Sequence, residues 1–349
     1  MLELHAAEGA FEAIEAWLRE RGFFASGGEE LVADLYLGYG LSAPLRRTST
    51  AVPPEPCPLP LAAVAVRDTS EGQSLSQGPD GCRIGTWSQS WTEAEYAAAV
   101  EEVRAAIACG DVYQVNLVQH LSAPFEGDPG AVAAALARFR PVAPFLVGEG
   151  WAIVSASPEL FLRRRGQRIW TMPIKGTRPL GVPVEGAKDA AEHVMIVDLE
   201  RNDLSRVCEP GSVRWPELMA ERELAGVTNL VSTVEGTLRE GVTLAEILHA
   251  TFPGGSVTGA PKIAALDEIA RLESVGRGAS MGALGSVRGN GDFELALTIR
   301  TFAVADGRIH LWVGGGIVWD SDPHDEVEES WTKARPLLDA IGAPIEVSA

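Results

Sequence analysis

From Trp91 to Ile341 the chain passes between helical and strand patterning many times, and it does so without a fixed period. Thr92 with Glu95 three residues on predicts a capped helix that runs to about Cys109 and ends at Gly110. Val112–Leu121, Trp151–Ser155 and Arg168–Met172 then read as strands. Further on, Lys188–Leu199, Leu244–Ala250, Pro261–Leu272 and Asp325–Ile341 read as helices, interleaved with β-type runs at Leu295–Val304 and Ile309–Val313. An even βαβ rhythm is missing, and no Gly-x-Gly-x-x-Gly follows a strand, so a doubly wound dinucleotide fold is excluded. The expected class is α+β.

Composition narrows the function classes. With 349 residues, 46% of them hydrophobic, and mean hydropathy near zero, the chain carries enough apolar mass for a large core. Its net charge of −19 would repel a phosphate backbone, and no basic stripe offsets it, so nucleic acid is not an expected partner. Cys57, Cys82, Cys109 and Cys208 are widely spaced, with no Cys-x-x-Cys pair, and read as free thiols of a cytoplasmic protein. The acidic start (Glu3, Glu8, Glu12, Glu15) does not resemble a signal peptide, and no run of about 18 apolar residues predicts a membrane span. Five prolines between Val52 and Pro60 mark a linker or edge loop, and residues 68–90 read as a second exposed loop. The expected organisation is one domain overall: a short N-terminal segment, 1–90, packed on a catalytic core, 91–349.

Several segments carry groups suited to chemistry. On the last helix Glu326, Glu329 and Lys333 fall at i, i+3 and i+7 on one face, while Asp189 and Glu192 fall at i, i+3 on an earlier one. Two such carboxylate pairs suit a hard cation such as Mg²⁺, although on spacing alone a solvated helix face with a Glu329–Lys333 ion pair is the favoured reading. The run from Pro253 to Lys262, with Ser256 and Thr258, is a glycine-rich turn into a helix. It either cradles an anion or simply turns the chain. Gly314-Gly315-Gly316 allows close backbone approach, and Arg300 offers a fork for a carboxylate. Lys175, between Ile174 and Gly176, has no role that spacing alone assigns.

Five ordered segments, Asp198 to Val207, Phe252 to Lys262, Ile299-Arg300-Thr301, Gly314 to Val318 and Asp320 to Pro323, together resemble the chorismate-utilising enzymes over roughly residues 90–340. That family includes the component I chains of anthranilate synthase and aminodeoxychorismate synthase, and the isochorismate and salicylate synthases. The resemblance implies one α+β domain in which two packed, antiparallel or mixed sheets enclose a Mg²⁺–chorismate site. It also implies that Glu192 and Glu329 hold the metal with support from Asp189 and Glu326. Arg300 and the Gly314–Gly316 backbone match positions that hold substrate carboxylates, Lys333 matches a substrate-binding lysine near the same end of the site, and Ser256 and Thr258 lie beside the ring. The Pro-Ile-Lys-Gly-Thr run, with Lys175 and Thr177, resembles the aminodeoxychorismate branch, in which the lysine attacks C2 of chorismate and ammonia then adds at C4. Glu159, in Ser157-Pro158-Glu159, matches a general acid for the departing hydroxyl. Members that add water resemble one another in a lysine base where this chain has Gln114.

Two residues depart from the family pattern. Asn229 stands where histidine is usual and Ser280 where tyrosine is usual; Asn cannot shuttle a proton near neutral pH. The reading is therefore aminodeoxychorismate synthase component I, with anthranilate synthase component I or a low-activity chorismate-binding homologue as alternatives. Nothing resembles a glutaminase nucleophile elbow, so ammonia is expected from a partner glutamine amidotransferase or from solution, and the products would serve p-aminobenzoate and folate or specialised metabolism. With so short an N-terminal segment, feedback inhibition is not predicted.

Overall fold

The computed structural model of the chain describes residues 1–25, 30–67, 81–143, 145–179, 187–224 and 227–343. Among these, the strands form two antiparallel sheets. The larger has ten strands, ordered β1 (Leu2–Leu4), β3 (Ala62–Arg67), β2 (Val32–Leu37), β15 (Ala283–Arg288), β16 (Phe293–Leu297), β9 (Leu160–Arg165), β10 (Arg168–Met172), β13 (Val227–Thr237) and β11 (Ile174–Pro179), with β12 (Arg214–Leu224) also paired to β13. The smaller has eight, ordered β14 (Gly259–Ala260), β6 (Gln114–Gly127), β18 (Arg308–Ile317), β17 (Thr301–Ala305), β8 (Trp151–Ser155) and β7 (Phe145–Gly148), with β4 (Cys82–Ile84) and β5 (Ser88–Gln89) along β6. Residues 1–90 thus supply three strands to the larger sheet and two to the smaller.

The helices follow local signals. Helix α2 (Glu93–Cys109) is closed by the Thr92–Glu95 capping box at its start and by left-handed Gly110 at its end. Helix α7 (Pro323–Ala340) begins with Pro323 behind Asp322, whose carboxylate accepts the His324 and Asp325 N–H groups. Both pack on the smaller sheet, through β6 and β18. Helix α4 (Ala187–Ser205) packs on β11, β12 and β13, while α1 (Ala10–Arg19) meets α5 (Leu244–Thr251). Helix α6 (Lys262–Leu272) leans on β6 and β14.

Three sequence expectations change. The run Leu295–Val304 is not one strand: the chain leaves the larger sheet at Leu297 and enters the smaller at Thr301, with Arg300 at φ 50° in between. Periodicity cannot show this, since both pieces are apolar and buried. The loop expected at 68–90 lies partly outside the described residues, and within 81–90 it contains β4 and β5. The Pro-rich stretch forms neither helix nor strand, as Pro demands, but it is no idle linker. The Pro54 carbonyl accepts the Gly276 N–H at 2.8 Å and the Glu55 carboxylate accepts the Gly278 N–H at 2.8 Å, fixing the approach to Ser280.

Candidate active site

Two crossings between the sheets run side by side, and they carry two of the expected site residues. Residues 156–159 lead from β8 into β9, and residues 298–300 lead from β16 into β17. They are tied by Ala156 N–H to the Arg300 carbonyl at 2.9 Å and by Leu297 N–H to the Glu159 carbonyl at 3.0 Å. The left-handed backbone of Arg300 turns the chain out of one sheet and into the other. Glu159 is buried and Arg300 half-buried. Burial pushes the Glu159 carboxyl above its usual range and the Arg300 guanidinium below its own, and each charge partly offsets the other's shift.

Lys175 reaches the same place from β11. A bulge between Lys175 and Thr177, with Gly176 at φ 58°, changes the register against β13, where Lys175 faces Leu230 and Thr177 faces Asn229. The Lys175 ammonium donates to the Ser256 carbonyl at 3.5 Å, while the Ser256 hydroxyl hydrogen-bonds the Glu159 carboxyl. Glu159 also accepts the Ile174 N–H at 3.3 Å. The glycine-rich turn therefore bridges a half-buried lysine and a buried carboxyl. The turn itself is held by Arg277, which donates to the carbonyls of Val257 and Asn116 and pairs with Glu273 at 2.6 Å, all out of solvent. Thr258 is buried, its hydroxyl spent on the Gly254 carbonyl. Gly259 permits the turn's contact with β6: a Cβ there would lie 2.2 Å from the Gln114 carbonyl oxygen.

A second group converges around Gly315. A Cβ at that position would lie 3.2 Å from Glu326 Oε2, 3.3 Å from Lys333 Nζ and 3.5 Å from Glu329 Oε1. Lys333 pairs with Glu329 at 2.8 Å and donates to the Gly314 carbonyl at 2.8 Å, while Ser321 donates to Glu326 at 2.6 Å. Next to this rim the Gln114 side chain is buried against Gly316, and neither end of its amide has a hydrogen-bond partner among the described residues.

The remaining expected residues fall less tightly. The backbone of Asn229 is placed by β13, and the side chain is buried. Ser280 is buried beside the crossing, its hydroxyl 3.5 Å from the Thr298 carbonyl. Glu192 lies half-buried on α4, and among the described residues no three acidic, His or Cys side chains are grouped as a metal cluster. The side chains of Asp189 and Thr177 lie outside the described residues. What does fit a hard cation is the oxygen-only pair on α7, facing a glycine where any side chain would fill the space.

Sequence reasoning missed His193 and Glu200. Both sit on the buried stripe of α4 with Ile196, Val197, Asp203 and Leu204, so polar groups recurring at helical spacing among apolar ones were the available signal. His193 contacts the Ser232 hydroxyl at 2.7 Å, and burial followed by the Lys175 charge lowers it to about 4, leaving it neutral. Glu200 is held well above the carboxylate range by burial and by Glu159. A separate cavity of about 360 Å³, lined in part by Asp34, Arg67, Arg165, Arg288 and Glu294, shares no residue with these groups.

Fold and site thus define a protein with a half-buried lysine beside a buried carboxyl and a second carboxylate group on α7, built where two sheets exchange strands. The sequence profile of the chorismate binding enzymes matches residues 50–339. Anthranilate synthase component 1 of Streptomyces coelicolor is 41% identical over 270 residues, 73% of this chain and 53% of that protein. Aminodeoxychorismate synthase component 1 of Escherichia coli is 39% identical over 281 residues, 77% of this chain and 62% of that protein. The chain therefore spans less than two thirds of the length of either relative. Among solved structures, anthranilate synthase component I from Streptococcus pneumoniae superposes with a TM-score of 0.74 at 26% identity, covering 87% of this chain and 80% of that one. The menaquinone-specific isochorismate synthase of Escherichia coli shares the fold, with a TM-score of 0.66 at 21% identity over 75% of this chain and 64% of that one. The chain belongs to the chorismate-binding enzyme family. No helix among the described residues is long and apolar enough to cross a membrane.

Proposed function

We propose that the chain is the chorismate-converting component of an aminodeoxychorismate synthase, making 4-amino-4-deoxychorismate from chorismate and ammonia. The observation that carries this reading is Lys175, half-buried and held with the buried Glu159 around Ser256. There the lysine amine adds at C2 as the C4–O bond breaks, and Glu159 gives its proton to the departing oxygen, which leaves as water. Ammonia then forms the C4–N bond as the C2–N bond to Lys175 breaks, returning the amine. Arg300, the Gly314 and Gly315 backbone and Lys333 would hold substrate carboxylates, with Ser256, Thr258, Thr177, Asn229 and Ser280 around the ring. Glu192, Glu326, Glu329 and Asp189 would hold Mg²⁺, which supplies positive charge for an anionic substrate. The relatives are named as component 1 of their synthases, which supports a glutamine amidotransferase partner delivering ammonia in the cytoplasm.

The second reading is anthranilate synthase component I, favoured by relatives of that name at the same identity. One assay separates the two: chorismate, Mg²⁺ and ammonium, with and without an aminodeoxychorismate lyase. p-Aminobenzoate that requires the lyase supports the first reading. Fluorescent anthranilate without it supports the second, and no turnover leaves a chorismate-binding homologue of low activity.

A further inference from the structure

The ammonium of Lys333 bridges two walls of the site. It pairs with Glu329 Oε1 of α7 at 2.8 Å and donates to the Gly314 carbonyl of β18, also at 2.8 Å. Gly315, the next residue of β18, leaves a space beside them. A Cβ there would lie 3.2 Å from Glu326 Oε2, 3.3 Å from Lys333 Nζ and 3.5 Å from Glu329 Oε1. The ammonium therefore shares one small space with an oxygen of each α7 carboxylate. Glu326 is anchored from behind: its Oε1 accepts the Ser321 hydroxyl at 2.6 Å, and Ser321 Oγ accepts the Val318 N–H at 3.1 Å. Oε2 is the oxygen that faces the space. Glu326 is buried, whereas the side chains of Lys333 and Glu329 are 34% and 52% exposed, so the lysine stem has water to swing into.

We infer that Lys333 is the resident cation of this carboxylate pair, and that it gives up its place to an arriving divalent cation and turns to the substrate. An ammonium and a hard cation seek the same partners, oxygens that carry negative charge. Two cations a few ångströms apart repel each other, so both cannot stay at Glu329 Oε1 without cost. Opening the lysine's pair costs little, because both of its side chains are partly in water. Before and after the exchange, the buried Glu326 keeps a positive charge nearby. The exchange also sets an order: Lys333 becomes available to a substrate carboxylate only where the divalent cation is already seated.

This inference rests on the metal assignment of the proposed function and is independent of which product forms. The test uses Mg²⁺ alone, titrated calorimetrically into the full chain at fixed ionic strength without chorismate. Lys333→Met should bind Mg²⁺ at least about threefold more tightly than the parent. Arg335, two residues further on α7 and 3.6 Å from Glu328, supplies the control. Arg335→Met removes the same charge without vacating the space, and should shift the Mg²⁺ affinity by less than about twofold. The second readout follows Lys333 itself. Acetylation by an N-hydroxysuccinimide ester, read by peptide mass spectrometry, should rise at Lys333 when Mg²⁺ is added. A Lys333→Met variant that binds Mg²⁺ no more tightly than the parent, equal tightening by Arg335→Met, or labelling of Lys333 that stays level or falls overturns the exchange. If neither parent nor Lys333→Met binds Mg²⁺, the metal assignment falls and the exchange with it; a parent that binds while Lys333 stays put overturns the exchange alone.

Discussion

Lys175 lies beside Glu159 and Lys333 beside Glu329, and these two lysine–carboxylate meetings differ in how far water reaches the carboxylate. Lys333 and Glu329 form a 2.8 Å ion pair with side chains 34% and 52% exposed. Solvent already stabilises both charges there, and the pair is worth little. Lys175 and Glu159 are joined through Ser256, inside a pocket where burial dominates the behaviour of the carboxyl. The same residue types thus do different work: the pair with the exposed carboxylate suits an anionic substrate and a cation that arrive from solution, and the pair with the buried carboxyl suits bond making and proton transfer. Burial of the carboxyl separates the two roles more than residue type does.

Four experiments break or sharpen that contrast. Lys175→Ala should lower aminodeoxychorismate formation by about 10³-fold or more, since the covalent route disappears. Chromatography of the products from chorismate and ammonium reads this, and an undiminished rate excludes nucleophilic catalysis by that lysine. Glu159→Gln should lower kcat by about 10²-fold, the ordinary weight of a positioned acid, with the Michaelis constant for chorismate changed far less. At the open rim, Glu329→Gln or Glu326→Gln should raise the Mg²⁺ concentration for half-maximal rate by about tenfold, and a metal titration with unchanged half-saturation removes the assignment. The smallest effect belongs to the exposed pair as a structural element. Lys333→Met should change unfolding free energy by less than about 1 kcal/mol in a denaturant titration, whereas Arg277→Ala should cost about 3–5 kcal/mol by stranding the Glu273 charge. Comparable costs at the two sites would erase the distinction between wet and dry pairs.

Much of this was legible in the chain. The capping box at Thr92, the α+β class, the α7 face carrying Glu326, Glu329 and Lys333, and the glycine-rich turn all follow from local spacing and turn chemistry, which act within a few residues. The tertiary structure decided what lies beyond that range. The apolar run from Leu295 to Val304 gave no sign that it changes sheets at Arg300, because both halves are equally buried. Yet that change is what sets Arg300 beside Glu159. Lys175 was one lysine among others until the β11 bulge and the Ser256 turn brought it beside Glu159. Glu200 looked like any acid on a helix until α4 pressed it against Thr171 and within reach of the Glu159 charge. Sequence alone fixed which groups are present and which local elements carry them. Their protonation, and so their chemistry, depends on burial and on charges distant in the chain, and only the folded packing sets those.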